Sequence, residues 1–289
     1  MSATAATFRW ELFKLYRRPA VWVSVIILLV LALALGYGLV WYIYTHPPAR
    51  AAASLPRGAS FALLKVGLYP AAFVKHTLGQ WSTLGGVFAL IVGVLSQGSE
   101  YGWGTVKTLF TQRPGRLSLL AGKLTALAVL VLVMVVALFA VDAASSYVVA
   151  LLDGKSVSWP AWQDVAKGIA AAWLIFGFWA VLGFSLATIF RQSAMAIGLG
   201  LAYAVLIEGI IFAILGTLGS DYTKVIEPWF PLANAGYLVA AFGQAAEGSG
   251  APAAAPLADA THAVATLLVY VATLIAVSAV LTRRRDVTS

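Results

Sequence analysis

SQGSEYGWGTVKTLFTQRPGR, residues 96–116, separates two apolar runs: 23 residues without a titratable group precede Glu100, and 18 follow Lys123 before Asp142. The interruption has a helical pattern. Ser99 is placed as an N-cap, and Glu100 falls in the first turn, where a carboxylate favours the positive end of the helix dipole. Trp103, Val106 and Phe110 recur at i, i+3 and i+7, Lys107 lies off that edge, and Pro114-Gly115 ends the helix. Gly98, Gly102 and Gly104 allow close backbone approach. The spacing predicts a short helix over 99–113 with an aromatic edge, the shape of a docking element. An ordinary basic loop would explain Lys107, Arg113 and Arg116, but neither Glu100 nor Trp103.

The flanking runs set the class. Hydrophobic residues make up 61% of the 289 residues and charged residues 10%, with a mean hydropathy of +0.90, against about 25% charged in soluble domains. A bilayer's hydrocarbon slab of about 30 Å takes roughly 20 helical residues to cross. Uncharged or nearly uncharged intervals predict six spans, at about 20–44, 78–98, 117–151, 165–190, 194–218 and 262–282. Backbone groups in lipid must be satisfied within each segment, so the spans are helices, and the expectation is a single all-α membrane domain. Barrel strands would instead alternate in hydrophobicity over about 10 residues.

Basic residues give the orientation. With both termini cytoplasmic, the inner side carries Arg9, Lys14, Arg17, Arg18, Lys107, Arg113, Arg116, Lys123, Arg191, Arg283, Arg284 and Arg285 against Glu11, Glu100 and Asp286. The rest of the chain holds 7 bases and 8 acids. Arg50, Arg57, Lys65 and Lys75, after the first span, pull the other way and are outvoted. This bias, with attraction to anionic lipid, accounts for a pI near 9.8 without nucleic acid. The absence of cysteine excludes disulfides and thiolate metal sites.

Residues 4–18, TAATFRWELFKLYRR, set Phe8, Leu12, Leu15 and Tyr16 on one face and Lys14, Arg17 and Arg18 on the other. That pattern predicts an amphipathic helix on the cytoplasmic surface, with Pro19 turning the chain into the first span. The first apolar run is too long for a signal-peptide core and is expected to stay as an uncleaved anchor. Residues 46–79 form an outer connection in which FALLKVGLYPAAFVKH rides on the interface. Residues 219–243 are too short and Pro-broken to span twice and read as short or re-entrant outer helices; 244–260 is a flexible linker by composition.

WELFKLYRRP, followed by a span, a long outer connection and a second span running into GSEYGWGTVKTLFTQRPGRLSLLAGK, resembles the permease subunit of ABC-2 type ABC transporters. The resemblance follows the pattern of nearly the whole chain and is densest at 8–19 and 96–123. It implies a six-span subunit with an N-terminal elbow helix over 1–19, a coupling helix between spans two and three, and re-entrant helices before the last span. It further implies a bacterial cytoplasmic membrane and pairing with a second permease subunit, as a homodimer. Two cytoplasmic ATPase subunits would bind the ATP and Mg. Carried over, Glu100, Tyr101, Gly102, Trp103, Thr105, Lys107, Thr108, Arg113 and Arg116 would face the ATPase. Arg9, Glu11, Lys14, Arg17 and Arg18 would belong to the elbow, and Arg191, Gln192 and Ser193 would make a second inner contact.

The chain has no phosphate loop of the GxxxxGK[ST] type, no HExxH, no Ser/His/Asp set and no usefully paired carboxylates, so the expectation is a transport subunit without its own enzyme activity, cofactor or metal. His46, His76 and His262 are far apart and read as interfacial. Gly85, Ala89 and Gly93 in the second span and Ala196, Gly200 and Ala204 in the fifth form small faces: candidates for a subunit interface, or for packing within one subunit. Trp173, Phe176, Phe178 and Trp179 are expected mostly at lipid or the interface. Glu208, mid-span, lines a translocation path, binds a cationic substrate group, or is protonated and bonded to a neighbouring helix. Asp142 is expected to reach water or a base. The function implied is export of a hydrophobic or amphiphilic compound such as a drug, antibiotic, peptide or lipid. An ion-coupled secondary transporter and a non-transporting scaffold are the rival classes.

Overall fold

The computed structural model describes residues 3–47, 61–102, 115–243 and 256–284. Among them the chain is all-helical, with six helices long and apolar enough to cross a membrane: Pro19–Thr45, Pro70–Glu100, Arg116–Leu152, Trp162–Phe190, Ser193–Thr217 and Ala260–Arg284. These are the first to sixth spans below. The second, third and fourth have 50%, 44% and 56% of their apolar stretch buried, against 28%, 17% and 11% for the first, fifth and sixth. The middle three therefore form the core, and the others lie against its outside.

Without a hydrophobic force between helices in lipid, close packing must hold the core, and glycine permits it. A Cβ on Gly85 would meet the Phe176 ring at 2.2 Å, and one on Gly86 the Trp179 indole at 2.2 Å. Backbone meets backbone at Gly93, where a Cβ would stand 1.9 Å from the Ala180 carbonyl oxygen, and at Gly183, where one would stand 2.2 Å from that of Leu90. Phe176, Phe178 and Trp179 are thus core plates and only Trp173 is exposed, correcting the expectation that these rings face lipid. The second-span glycines supply the slots that accept them.

Two spans contain a π turn, Ala32–Gly38 in the first and Tyr203–Ile207 in the fifth. A π turn loosens the regular carbonyl ladder and leaves acceptors to be satisfied from outside. In the first span the Gly36 carbonyl bonds His76 Nε2 at 3.1 Å, and Trp81 packs on the Gly36 Cα face. His76 therefore lies within the second membrane-length helix and ties it to the first. The second span starts about two turns before the expected residue 78, because Lys75 and His76 find partners instead of ending the helix.

The arm Ala3–Arg17 is helical, and Pro19 starts the next helix after an extended Arg18. Its buried stripe is Thr7, Glu11 and Leu15, turned to the third span, where Gly122 makes room for Thr7. Trp10, Phe13 and Tyr16 face away. The expected apolar face is corrected at Tyr16, which instead meets Trp22 edge-on.

Between the fifth and sixth spans the chain forms short helices, Ser220–Ile226, Glu227–Trp229 and Pro231–Ala240. Sixth-span side chains hold this segment: His262 Nε2 donates to the Pro228 carbonyl at 2.8 Å, and the Tyr270 hydroxyl to that of Trp229 at 3.0 Å. The same end of the bundle carries a clasp in which Lys65 pairs with Asp153 at 2.6 Å and Tyr69 donates to it at 3.1 Å. Lys65 and Tyr69 hold the Asp153 carboxyl below its ordinary value, outweighing its burial.

Candidate docking site at the basic end of the bundle

At the other end the arm helix, the end of the second span and the start of the third converge on five charged side chains. Lys14 Nζ lies 2.6 Å from Glu11 Oε1 and 2.8 Å from Glu100 Oε1. Lys123 Nζ lies 2.5 Å from Glu100 Oε2 and 3.8 Å from Glu11 Oε2. Arg18 donates to the Leu95 carbonyl and to Ser99 Oγ, both at 2.6 Å. The side chains of Lys123, Glu100 and Glu11 are only 4%, 5% and 6% exposed, so each would be expensive to desolvate alone, and each is made tolerable by the others.

Local sequence explains the convergence. Glu11 and Lys14 share a helix face at i, i+3. Lys123 sits two turns inside an apolar helix and needs a countercharge there. Glu100 supplies it because the second span's helix continues unbroken through Gly102. That continuity corrects the expected N-cap: Ser99 Oγ donates back to the Leu95 carbonyl at 2.6 Å, as within a helix. Burial lowers Lys14, but Glu100 and Glu11 more than offset it and hold its ammonium above the ordinary lysine value. Burial also pulls the Arg18 guanidinium down, with Glu100 and Glu11 opposing.

Of the residues expected to face a partner at 99–113, Glu100 is turned inward. Trp103, Thr105, Lys107, Thr108 and Arg113 lie outside the described residues, as do the side chains of Tyr101 and the atoms beyond Gly102 up to Gly115. Arg116 is half-buried and donates to the Arg283 carbonyl at 3.2 Å, tying the third span to the end of the sixth. Arg9 and Arg17 are exposed. Arg191 and Gln192 are exposed in a tight turn, with Arg191 left-handed at φ 56°, and Ser193 packs against Gly98 of the second span. The 191–193 turn therefore adjoins the charged cluster.

Glu208 is 2% exposed, and its environment is a helix end. Its Oε1 accepts the Leu232 N–H at 3.0 Å and the Tyr203 hydroxyl. Leu232 is the second residue of the Pro231–Ala240 helix, so Glu208 caps that helix from another element, meeting the positive end of its dipole. Of the three roles considered for Glu208, this geometry gives the bond to a neighbouring helix. Gly85, Ala89, Gly93, Ala196, Gly200 and Ala204 are all buried inside one chain, where they pack spans together. Asp142 is 0% exposed and makes no ion pair among the described residues, correcting the expectation of water or a base. Tyr37, also unsatisfied at its hydroxyl, lies near it.

A family profile described as a protein of unknown function, DUF2705, matches residues 72–288. The chain belongs to the DUF2705 family. No curated protein matches it. The DUF2705 match begins within the second span, so Glu100 and Lys123 fall inside it, while Glu11, Lys14 and Arg18 precede it. In this chain the charged cluster thus joins the family region to the helix and span before it.

Proposed function

We propose that this DUF2705 chain is the membrane-spanning subunit of an ATP-powered exporter. A separate cytoplasmic ATPase docks on the basic end, binds ATP and Mg, and drives outward movement of a hydrophobic or amphiphilic compound. In this reading the chain sits in a bacterial cytoplasmic membrane with both termini on the ATPase side, pairs with a second copy, and has no enzyme activity of its own. The arm acts as the elbow helix and 99–113 as the coupling segment, with the 191–193 turn as a second contact. The observation that supports it is the buried charge cluster. The segment between Gly102 and Gly115 is rooted at both ends in helices that Glu100 and Lys123 clamp together, with Lys14 and Glu11 adding the arm. A push on that segment would move two spans and the arm as one lever, as a rigid-body switch between two states requires.

The test is purification of the full chain from its native membrane in mild detergent. The expected result is a nucleotide-binding protein in stoichiometric amount, lost on charge reversal of Lys107 and Arg113, with ATP-dependent transport after reconstitution. A chain that transports without nucleotide overturns the proposal.

The ion-coupled alternative has its own support. Two spans are interrupted by π turns, and Asp142 is buried without an ion-pair partner among the described residues, features expected of such carriers. Transport that follows an imposed ion gradient and is abolished by Asp142→Asn would favour it.

A further inference from the structure

Among the described residues, one face of the arm helix is left uncovered by the bundle. Arg9, Trp10, Phe13, Tyr16 and Arg17 recur at i, i+1, i+4, i+7 and i+8 and are all exposed, a stripe about 12 Å long. Trp10 meets Phe13 edge-on, and the Arg17 guanidinium stands over the Phe13 ring at 5.3 Å. On the reverse side Glu11 and Lys14 enter the charge cluster and Leu15 is buried, so the helix is not free to roll the stripe inward.

The stripe runs into the lipid-facing side of the first span. Trp22 Nε1 donates to the Tyr16 carbonyl at 2.7 Å, and the two rings meet edge-on. Val23, Ile26, Ile27 and Val30, the exposed row of an uncharged membrane-length helix, start one residue later. Trp and Tyr at the head of such a row mark the boundary between headgroups and hydrocarbon. Tyr16 therefore stands at that boundary, and the rest of the stripe extends from it.

Charge selects the headgroup. Arg9 and Arg17 make no ion pair among the described residues. The acids that the described residues bring to this end, Glu11 and Glu100, are buried. The remaining residues joined by the chain to this end, 1–2, 103–114 and 285–289, add Lys107, Arg113 and Arg285 against Asp286. The excess is therefore positive whichever of these side chains approaches the stripe.

The geometry points to the outer face of the arm as a binding surface for the headgroup layer of an anionic bilayer. The Trp10, Phe13 and Tyr16 rings enter the layer beneath the headgroups, and the Arg9 and Arg17 guanidiniums hold lipid phosphates, which their planar forks suit. Net positive charge makes the face prefer lipids of net negative charge. This surface stands whether or not a motor docks at the same end.

The chain has no cysteine, so Trp10→Cys in the full chain carries a single bimane. The labelled chain is placed in phosphatidylcholine nanodiscs holding a small, equal fraction of phosphatidylglycerol or phosphatidylcholine with a nitroxide near the top of its acyl chain. Quenching by the nitroxide reports which lipid reaches the face, and phosphatidylglycerol is expected to quench more strongly. Arg9→Gln and Arg17→Gln should each lower that preference about fivefold, from about 1 kcal/mol per basic residue near a membrane surface. A bimane at Val30→Cys should be quenched equally by both lipids, and the melting temperature should hold in both arginine variants. Tyr16→Cys is a second label position and should read as Trp10→Cys does. Equal quenching by the two lipids, or a preference that survives both arginine changes together, would overturn the proposal. Quenching by aqueous iodide and by neither lipid would overturn it by standing the face in water. Protection from lipid and iodide alike would overturn it by assigning the face to residues 103–114 or to a second copy.

Discussion

Glu100 and Glu208 are both carboxylates buried in apolar helices, and the chain satisfies them in opposite ways. Glu100 is met by full charges from two other elements, Lys14 on the arm and Lys123 on the third span. Glu208 is met by neutral donors, the Leu232 amide and the Tyr203 hydroxyl. The difference teaches what each end is built to do. Charges drawn from three elements make a joint whose parts are costly to separate, whereas a tertiary cap fixes one short helix and leaves its neighbours free to shift.

The largest expected effect is at the joint. Lys123→Met leaves Glu100 and Glu11 buried with Lys14 as their remaining ammonium partner, and breaking a buried pair on one side costs about 3–5 kcal/mol. Thermal unfolding in detergent should show that loss. The matched replacement Glu100→Met with Lys123→Met should recover most of it, because removing both charges relieves the desolvation that each imposes. If Lys123→Met alone lowers stability by less than about 1 kcal/mol, the cluster is solvated and the contrast with Glu208 collapses.

A smaller and local effect is expected at the cap. Glu208→Ala should cost about 1–2 kcal/mol, the range for losing a helix cap, and should speed amide exchange across Pro231–Ala240 first. Glu208→Gln keeps an acceptor for Leu232 N–H and should retain about half of that. The same exchange measurement on Lys123→Met should leave Pro231–Ala240 unchanged until global unfolding. Matching exchange patterns in the two variants would mean that the ends are mechanically one unit.

Much of this architecture was legible in the sequence, and what was not has a common physical cause. The six spans follow from uncharged intervals measured against the thickness of a bilayer, and that measure holds whatever the helices touch. The start of the second span was misplaced because Lys75 and His76 look like boundary residues until the Gly36 carbonyl is known to need a donor. The inward turn of Glu100 was missed for the same reason, although a signal existed. Lys123, alone among apolar neighbours two turns inside a helix, demanded an acid, and Glu11, Glu100 and Asp286 were the acids on its side. The π turns left no pattern in the residues. The small faces were visible, but pairing Gly85 and Gly86 with Phe176 and Trp179 depends on helix rotation, which spacing alone does not determine.

The smallest expected effects are pH-linked, one at each end. The Asp153 carboxyl is held below its ordinary value by Lys65 and Tyr69. Its stabilisation is therefore present above about pH 4 and is lost as pH falls through the lower folded value. Lys14 has the opposite sign. Its ammonium is held above the ordinary lysine value by Glu100 and Glu11, so its stabilisation is complete below pH 10.5 and is lost as pH rises through the raised folded value. Lys14 is about a third exposed, which screens the pair and keeps the effect below about 1 kcal/mol. The measurement is the difference in melting temperature between the native chain and Lys14→Gln, followed from neutral to strongly alkaline pH. The gap should be constant up to about pH 10 and then close as the native Lys14 gives up its proton. A gap that widens with alkali would mean that Lys14 is destabilising where it stands, and that Lys123 carries the joint without it.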